Sequence, residues 1–599
     1  MMGIIMTEYT APLADLNFVI NELSNLEQIV KLPTFEHATD DLLEPILDEA
    51  ARFSREVLGP TNIIGDQQGC SVENGVVKVP TEFSDAYRLF VESGWQGLDC
   101  DPEFGGMGLP GLIGAATGEM WQSANLALGL CPMLTSGAVE TIEIHATDEL
   151  KQIYLQKLIS GEWAGTMDLT EPQAGSDLAA IRMLATPDGD QYRLTGNKIY
   201  ITWGDHEMTE NVIHLVLARL PDAPEGVRGI SLFLVPKFLV NEDGSLGDRN
   251  DVFVTSVEHK LGIHASPTCV LNYGDKDGAV GYLLGQPNRG LACMFTMMNL
   301  ARLHVGIQGL ATSERAYQAA RDHAKERVQG QFPGNRESAA IIQHPDVRRM
   351  LMTMKSLIEA MRVTACVTAA ELDIARHTGD DAAKAAAIER TALLTPIVKG
   401  WMTEVAQEVT SIGIQVHGGC GYVEETGVAQ YLRDARILTI YEGTTGIQAI
   451  DLLGRKVMAD GGKGMQRLLH DIAELDARLA DAGPELESIR TAVATGRQRL
   501  EDATKWLLGK AQENPAVAFL AAFDYLMLAG TVIGAWQMGR AADVAHTKLG
   551  NNDGDADFYK AKITTARFYA EQILPRSAAH FEAVTSGGTA AMELSEEQF

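Results

Sequence analysis

Two shortages set the first bounds. Basic residues are outnumbered: 49 Lys and Arg face 80 Asp and Glu, a net charge of −31. Nucleic-acid phosphates need a basic surface, so that class of partner is excluded, and anionic membrane surfaces are disfavoured on the same ground. The acidity serves solubility and still admits anionic ligands at local Arg residues and backbone N–H groups. Cysteine is scarce as well. Its seven copies, at 70, 100, 131, 269, 293, 366 and 420, show no Cys-x-x-Cys spacing. That argues against a disulfide scaffold and a zinc site and fits reduced thiols in a cytoplasmic protein. The chain has no His-Glu-x-x-His, no Gly-x-Ser-x-Gly elbow and no paired metal-ligand spacing, so no metal is expected. Internal repeats and low-complexity tracts are missing too. The N-terminus has neither a positive n-region nor a cleavage motif, so no signal peptide is expected; Met1, Met2 and Met6 crowd the start, and Met6 is a candidate initiator.

Long hydrophobic runs are also rare. Residues 516 to 536, AVAFLAAFDYLMLAGTVIGAW, are long enough to span a bilayer. Asp524 sits inside the run and no basic cluster flanks it. Asn514-Pro515 reads as an N-cap and first helical position. A buried core helix is expected, not a membrane span.

What is present is 599 residues with an ordinary 46% hydrophobic content, too long for one core and suited to three or four domains. Residues 1–40 read as an N-terminal helical extension, and 41–165 as a helical domain with a glycine loop at 102–111. Strand texture fills 166–280. There QYRLTGNKIYIT shows two alternating runs joined at Gly196-Asn197, a hairpin signal. Long helices return over 285–458, ADGGKG at 459–464 reads as a linker, and 465–599 forms a further helical domain. In it Leu468, Ile472, Leu475 and Leu479 mark one amphipathic helix.

Four words carry chemistry. Thr166 to Asp177, T-M-D-L-T-E-P-Q-A-G-S-D, is a turn-rich loop able to present N–H groups and hydroxyls to an oxygen-rich ligand. In Lys198 to Gly204, strand alternation puts Tyr200 and Thr202 on one face and Ile199 and Ile201 on the other. One face then carries an aromatic plate and a hydroxyl, which can cover a flat heteroaromatic ring or simply pack. Gln415 to Tyr422 offers bare glycine backbone at a helix end, with His417 read as structural. In Arg433 to Gln448 an apolar run delivers Glu442 to a bend of Gly443, Thr444, Thr445 and Gly446. A carboxylate at the mouth of an apolar pocket has its pKa raised by desolvation, which suits a general base. On residue types alone a solvated loop glutamate remains the alternative.

Taken in order, these words resemble the acyl-CoA dehydrogenase family over about residues 41–458. The C-terminal block and the Ile201-Thr202-Trp203-Gly204 variant resemble its large bacterial subgroup of 3-methylmercaptopropionyl-CoA and broad-range fatty acyl-CoA dehydrogenases. The resemblance implies an α+β, mainly α fold. It comprises an N-terminal helical domain, a β-barrel-like middle domain, a C-terminal four-helix bundle and an extra C-terminal helical domain. It implies FAD, and α,β-dehydrogenation of an acyl-CoA in which Glu442 removes the α-proton. The implied substrate is 3-(methylthio)propanoyl-CoA, with a broad-range fatty acyl-CoA as the alternative. The family's other base position, before Arg302, is Ala301 here, which leaves Glu442 alone in the role. Met167, Leu169, Thr170, Ser176, Tyr200 and Thr202 match the flavin-lining positions; Tyr200 stands where the family often has Trp. Arg327 matches a pyrophosphate contact. Gln415, Gly418 and Gly419 match the strip for the adenosine end, and Thr444 a further FAD contact. Ser176, Arg302 and Gly443 are expected at the substrate. Gln173 replaces a common Gly, and Gly446 a common Gln with no side-chain role assigned. An electron-transfer flavoprotein is the implied acceptor and a homodimer the implied assembly. An oxidase, a non-catalytic scaffold and a helical protein with accidental matches are the other readings.

Overall fold

The computed structural model describes residues 8–331 and 337–599; the three methionines at the start lie outside them. The described chain divides into two compact units, Glu8–Ala11 with His37–His304, and Pro12–Glu36 with Val305–Phe599.

In the first unit, helices precede a sheet. Helices Gly111–Ala124 and Leu126–His145 are buried along most of their length, as their small and apolar residues dictate. Asn125 starts the second by accepting a hydrogen bond from the Leu128 N–H through its side chain (3.0 Å). A short hairpin, Ser71–Glu73 with Val76–Lys78, interrupts the helical texture; Asn74 and Gly75 both take positive φ at its turn (53° and 78°), the conformation Asn-Gly favours.

The sheet comprises β1 Trp163–Asp168, β2 Leu184–Asp188, β3 Gln191–Thr202, β4 Asn211–Arg219, β5 Ile230–Pro236, β6 Val252–Val257, β7 Thr268–Tyr273 and β8 Ala279–Leu284. Its main path runs β6-β7-β3-β8-β5-β4-β1, and β2 pairs with both β3 and β4. The ring β2-β3-β8-β5-β4 therefore closes, through the single Leu184–Arg219 pair, which explains the barrel-like character. Arg219 holds the closure: its guanidinium donates to the carbonyls of Ile181 (2.8 Å) and Ala179 (2.7 Å). Leu194, Val216 and Phe233 fill the interior.

The expected hairpin at Gly196-Asn197 does not form. Gln191–Thr202 is one continuous strand, and Gly196 marks where it exchanges partners. Tyr192–Leu194 pair with β8, and Gly196–Lys198 with β7. Gly196 has φ 149°, and a Cβ there would sit 3.1 Å from the Met183 side chain, so the glycine serves a kink and a close approach.

In the second unit, helices Pro345–His377 and Asp381–His417 pack along each other and against the C-terminal helix Ala522–Gly550. A Cβ at Gly530 would collide with Trp401 (2.2 Å), and one at Gly400 with Leu526 (2.5 Å), so these helices touch nearly backbone to side chain. The N-terminal helix Leu13–Phe18 sends Asp15 to Arg362 and Lys562, and Arg362 also pairs with Glu314 at 2.7 Å. Leu468, Ile472, Leu475 and Leu479 are all buried. The stretch 459–464 is a short turn in which Gly461 and Gly462 take positive φ, and a helix begins at Lys463. Residues 516–536 break at Ala521 into helices Pro515–Leu520 and Ala522–Gly550, with Asp524 bonded to His580 at 2.9 Å. Among the described residues, Gly290–Glu326 alone is long and apolar enough to cross a membrane; 56% of its apolar window is buried in the protein.

Candidate active site

The first unit builds an open wall. β1 carries Met167, and the chain continues through Leu169 and Thr170; all three are partly exposed, while Thr166 and Asp168 point inward. Thr166 Oγ1 donates to the Thr202 carbonyl (2.8 Å), and the Ile199 N–H donates to the Thr170 carbonyl (2.9 Å), so the second word is stitched to the first. The helix behind fixes both. Thr135 accepts from the Gly165 N–H (3.0 Å), and Trp203 Nε1 donates to the Ala127 carbonyl (3.1 Å).

The strict alternation expected over Ile199–Thr202 is broken. The register against β7 slips by one residue between Lys198 and Ile201, a β-bulge in which Tyr200 takes φ +60°. Ile201 is buried, Ile199 is half-buried, and Tyr200 stands 59% exposed. An extra residue inserted in a strand shifts every later side chain by one face, which period-two reading cannot see. Ser176 lies exposed on the loop beyond.

Beneath the wall lies a charge pair missed by the sequence reading. Lys198 is fully buried and its Nζ donates to Glu171 Oε1 and to the Leu169 carbonyl, both at 2.9 Å. Glu171 also accepts from the N–H groups of Arg182 (2.7 Å) and Met183 (3.1 Å). Burial pushes Glu171 upward, but Lys198 and these backbone donors outweigh it and hold the carboxyl below its ordinary value. Burial wins at Lys198, which is lowered despite Glu171. Gln173, the departure from the family's glycine, braces the same carboxylate at 2.7 Å.

On the first half of Gly290–Glu326, Ala301 is buried. Arg302 is 4% exposed, with its guanidinium 5.9 Å from the Phe295 ring.

The second unit holds the turn at Glu442. A short 3-10 helix, Arg436–Thr439, ends at Ile440. Glu442 (φ 55°) and Gly443 (φ 88°) then take the left-handed region in succession, and Thr444 caps the helix Thr445–Ile450. Such a pair aims the Glu442 side chain out of the turn at a cost in strain. Three buried groups keep it there. Gln448 Nε2 donates to the carbonyls of Glu442 (3.1 Å) and Gly443 (3.4 Å). Lys399, fully buried on Asp381–His417, donates to the Gly443 carbonyl at 2.5 Å. Thr445 donates to Glu404 at 2.6 Å. Tyr441 donates to Gln308, and burial together with the Glu442 charge holds its phenol well above the usual range. Glu442 and Gly443 are half-exposed, and Ile440 beside them is exposed.

The same unit joins two more words. His323 and His417 stack with ring centroids 4.4 Å apart, and Arg327 follows His323 by one helical turn, its N–H donating to the His323 carbonyl (2.8 Å). His417 is bonded to the Gly413 carbonyl (2.8 Å) and lowered by burial, consistent with a structural role. Arg327, Gln415, Gly418 and Gly419 are exposed, and a Cβ at either glycine would meet nothing within 4 Å. An exposed guanidinium and bare backbone suit a diphosphate and its sugar. The exposed Tyr200 ring beside half-exposed Met167, Leu169, Thr170 and Thr202 suits a flat heterocycle. The residues present therefore fit FAD. Sequence signals for the supporting groups existed but were weak: Lys399 is a lone charge inside the apolar run Leu393–Met402, and Glu171 and Lys198 each border a motif.

Sequence profiles match along the chain. They are the acyl-CoA dehydrogenase N-terminal domain (44–162), middle domain (166–275) and C-terminal domain (288–458), and an acetyl-CoA dehydrogenase C-terminal-like domain (468–595). The chain is 47% identical to the 3-methylmercaptopropionyl-CoA dehydrogenase of Ruegeria pomeroyi, covering 97% of this chain and 98% of that one. It is 33% identical to the broad-specificity linear acyl-CoA dehydrogenase FadE5 of Mycobacterium tuberculosis, covering 99% and 100%. Its fold is similar to that of Caenorhabditis elegans ACDH-11, solved with C11-CoA: TM-score 0.74, 22% identity, 98% of each chain.

Proposed function

The chain belongs to the acyl-CoA dehydrogenase family, and from that premise we propose that it dehydrogenates 3-(methylthio)propanoyl-CoA between its α and β carbons with Glu442 as base. The turn around Glu442 carries this reading: a half-exposed carboxylate in a left-handed conformation, clamped from behind by Gln448 and Lys399. The thioether substrate is supported by the 47% identity, over 97% of this chain, to the Ruegeria relative of that name.

FAD, once bound, supplies the acceptor for the β-hydride. Met167, Leu169, Thr170, Tyr200 and Thr202 hold its ring, Arg327 its pyrophosphate, Gln415, Gly418 and Gly419 its adenosine end, and Thr444 a further contact. Ser176 serves both cofactor and substrate; Arg302 and Gly443 serve the substrate. The α-proton of a thioester is weakly acidic, so Glu442 needs a carbonyl polarised as enolate charge develops, and its own backbone N–H takes that part. Strain held by the surrounding clamps keeps the carboxylate aimed, so little reorganisation is left for the reaction. The electron acceptor is an electron-transfer flavoprotein. The protein is cytoplasmic, in keeping with seven unbridged thiols. The assembly is a dimer, a reading supported by analogy of architecture, with the extra C-terminal helical domain replacing contacts that a second dimer supplies in smaller relatives.

Glu442→Gln is expected to retain FAD and bind acyl-CoA while turnover falls by about 10³-fold or more. Near-normal ferricenium-coupled activity in that variant rejects the assignment. Initial rates over thioether, short, medium and long acyl-CoAs test the substrate: no turnover of the thioether rejects it and leaves the broad-range activity named for FadE5. Stoichiometric peroxide on aerobic turnover identifies an oxidase, and a tetrameric mass in solution rejects the dimer.

A further inference from the structure

We propose that Lys399 is a positioning residue for the base, fixing the Glu442 turn by donating to its backbone from a buried helix. The inference rests on Glu442 being the base. Lys399 is fully buried on a helix 44 residues upstream of the turn, and its Nζ meets the Gly443 carbonyl at 2.5 Å. Gln448, also fully buried, donates to that carbonyl and to its neighbour. Two donors on consecutive carbonyls immobilise the peptide planes on either side of Gly443, and those planes hold Glu442 left-handed.

The two donors differ in origin. Gln448 reaches the turn from the short helix that follows it, Thr445–Ile450, whereas Lys399 reaches it from a separate long helix, Asp381–His417, and so ties the turn to the bundle. The helix bearing Lys399 is itself fixed from behind. Gly400 packs against Leu526, and Trp401 against Gly530, so the C-terminal helix Ala522–Gly550 backs the residues that follow Lys399. The C-terminal domain thereby acts on the base through a rigid support.

The test uses the FAD-loaded full chain, measuring kcat and KM for Lys399→Met, Lys399→Gln and Glu442→Gln. Lys399→Met is expected to lower kcat by about 100-fold with KM changed less than about threefold. Lys399→Gln keeps a donor and should recover part of kcat. Near-normal kcat in both lysine variants overturns the proposal. So does loss of flavin or of folding in both, which makes Lys399 purely structural. An active Glu442→Gln instead removes the base reading itself, whatever the lysine variants do.

Discussion

Tyr200 and Glu442 invite comparison. Both are non-glycine residues in the left-handed region, at φ 60° and 55°, and each stands at the exposed end of a motif. They are held by opposite means. Tyr200 owes its conformation to a slip in sheet register, and the charge beneath it is sealed: Lys198 ends on Glu171, 27 residues away, with both buried. Glu442 is held by side chains from remote helices. Lys399 reaches it from 44 residues upstream, and Gln308 meets Tyr441 across 133. A residue in a strand can be held by register alone, which β pairing supplies. A residue on an open bend needs anchors, and side chains brought in from elsewhere supply them.

The contrast can be broken most forcefully at Lys198. Lys198→Met strands the buried Glu171 carboxylate and should cost about 3–5 kcal/mol. Urea unfolding and the flavin absorbance of purified protein measure it; a stable, yellow variant refutes the sealed pair as the wall's support. Gly443→Ala probes the other region with a smaller effect. Its Cβ would lie 2.7 Å from Gln448 Nε2 at φ 88°, so about 1–3 kcal/mol of strain is expected. Here kcat should fall while flavin stays bound, and an unaltered kcat would show that the turn tolerates rearrangement. The smallest effect is one of pH. Glu171 is held below its ordinary 4.5, so its contribution is present above that value and fades as pH falls through the lower folded pKa. Glu171→Gln should therefore flatten the acid side of the stability curve, with the flavin-free fraction at each pH as a second readout. An unchanged acid limb would place the wall's pH sensitivity elsewhere.

Much was legible in the chain because words such as Thr170–Asp177 and Tyr441–Thr444 are short and local. The order of helical and strand textures was legible for the same reason, as was the buried stripe from Leu468 to Leu479. What escaped depends on partners distant in sequence. Gly196 reads as a turn glycine until β7 and β8 show it switching neighbours. The bulge at Tyr200 exists only relative to β7. Lys399 stands out only as a lone charge in an apolar run, and nothing in its neighbourhood names Gly443. The Asn74-Gly75 hairpin was local and still missed, because two three-residue strands leave almost no periodicity.

The backbone angle of Glu442 has one more consequence. A side chain other than glycine in the left-handed region costs about 1–2 kcal/mol, so Glu442→Gly should fold more stably than the native chain while lacking the carboxylate proposed as its base. A mutant library ranked by heat resistance alone would thus promote a substitution that removes the proposed base, and at position 442 a thermal score and a metabolic one diverge.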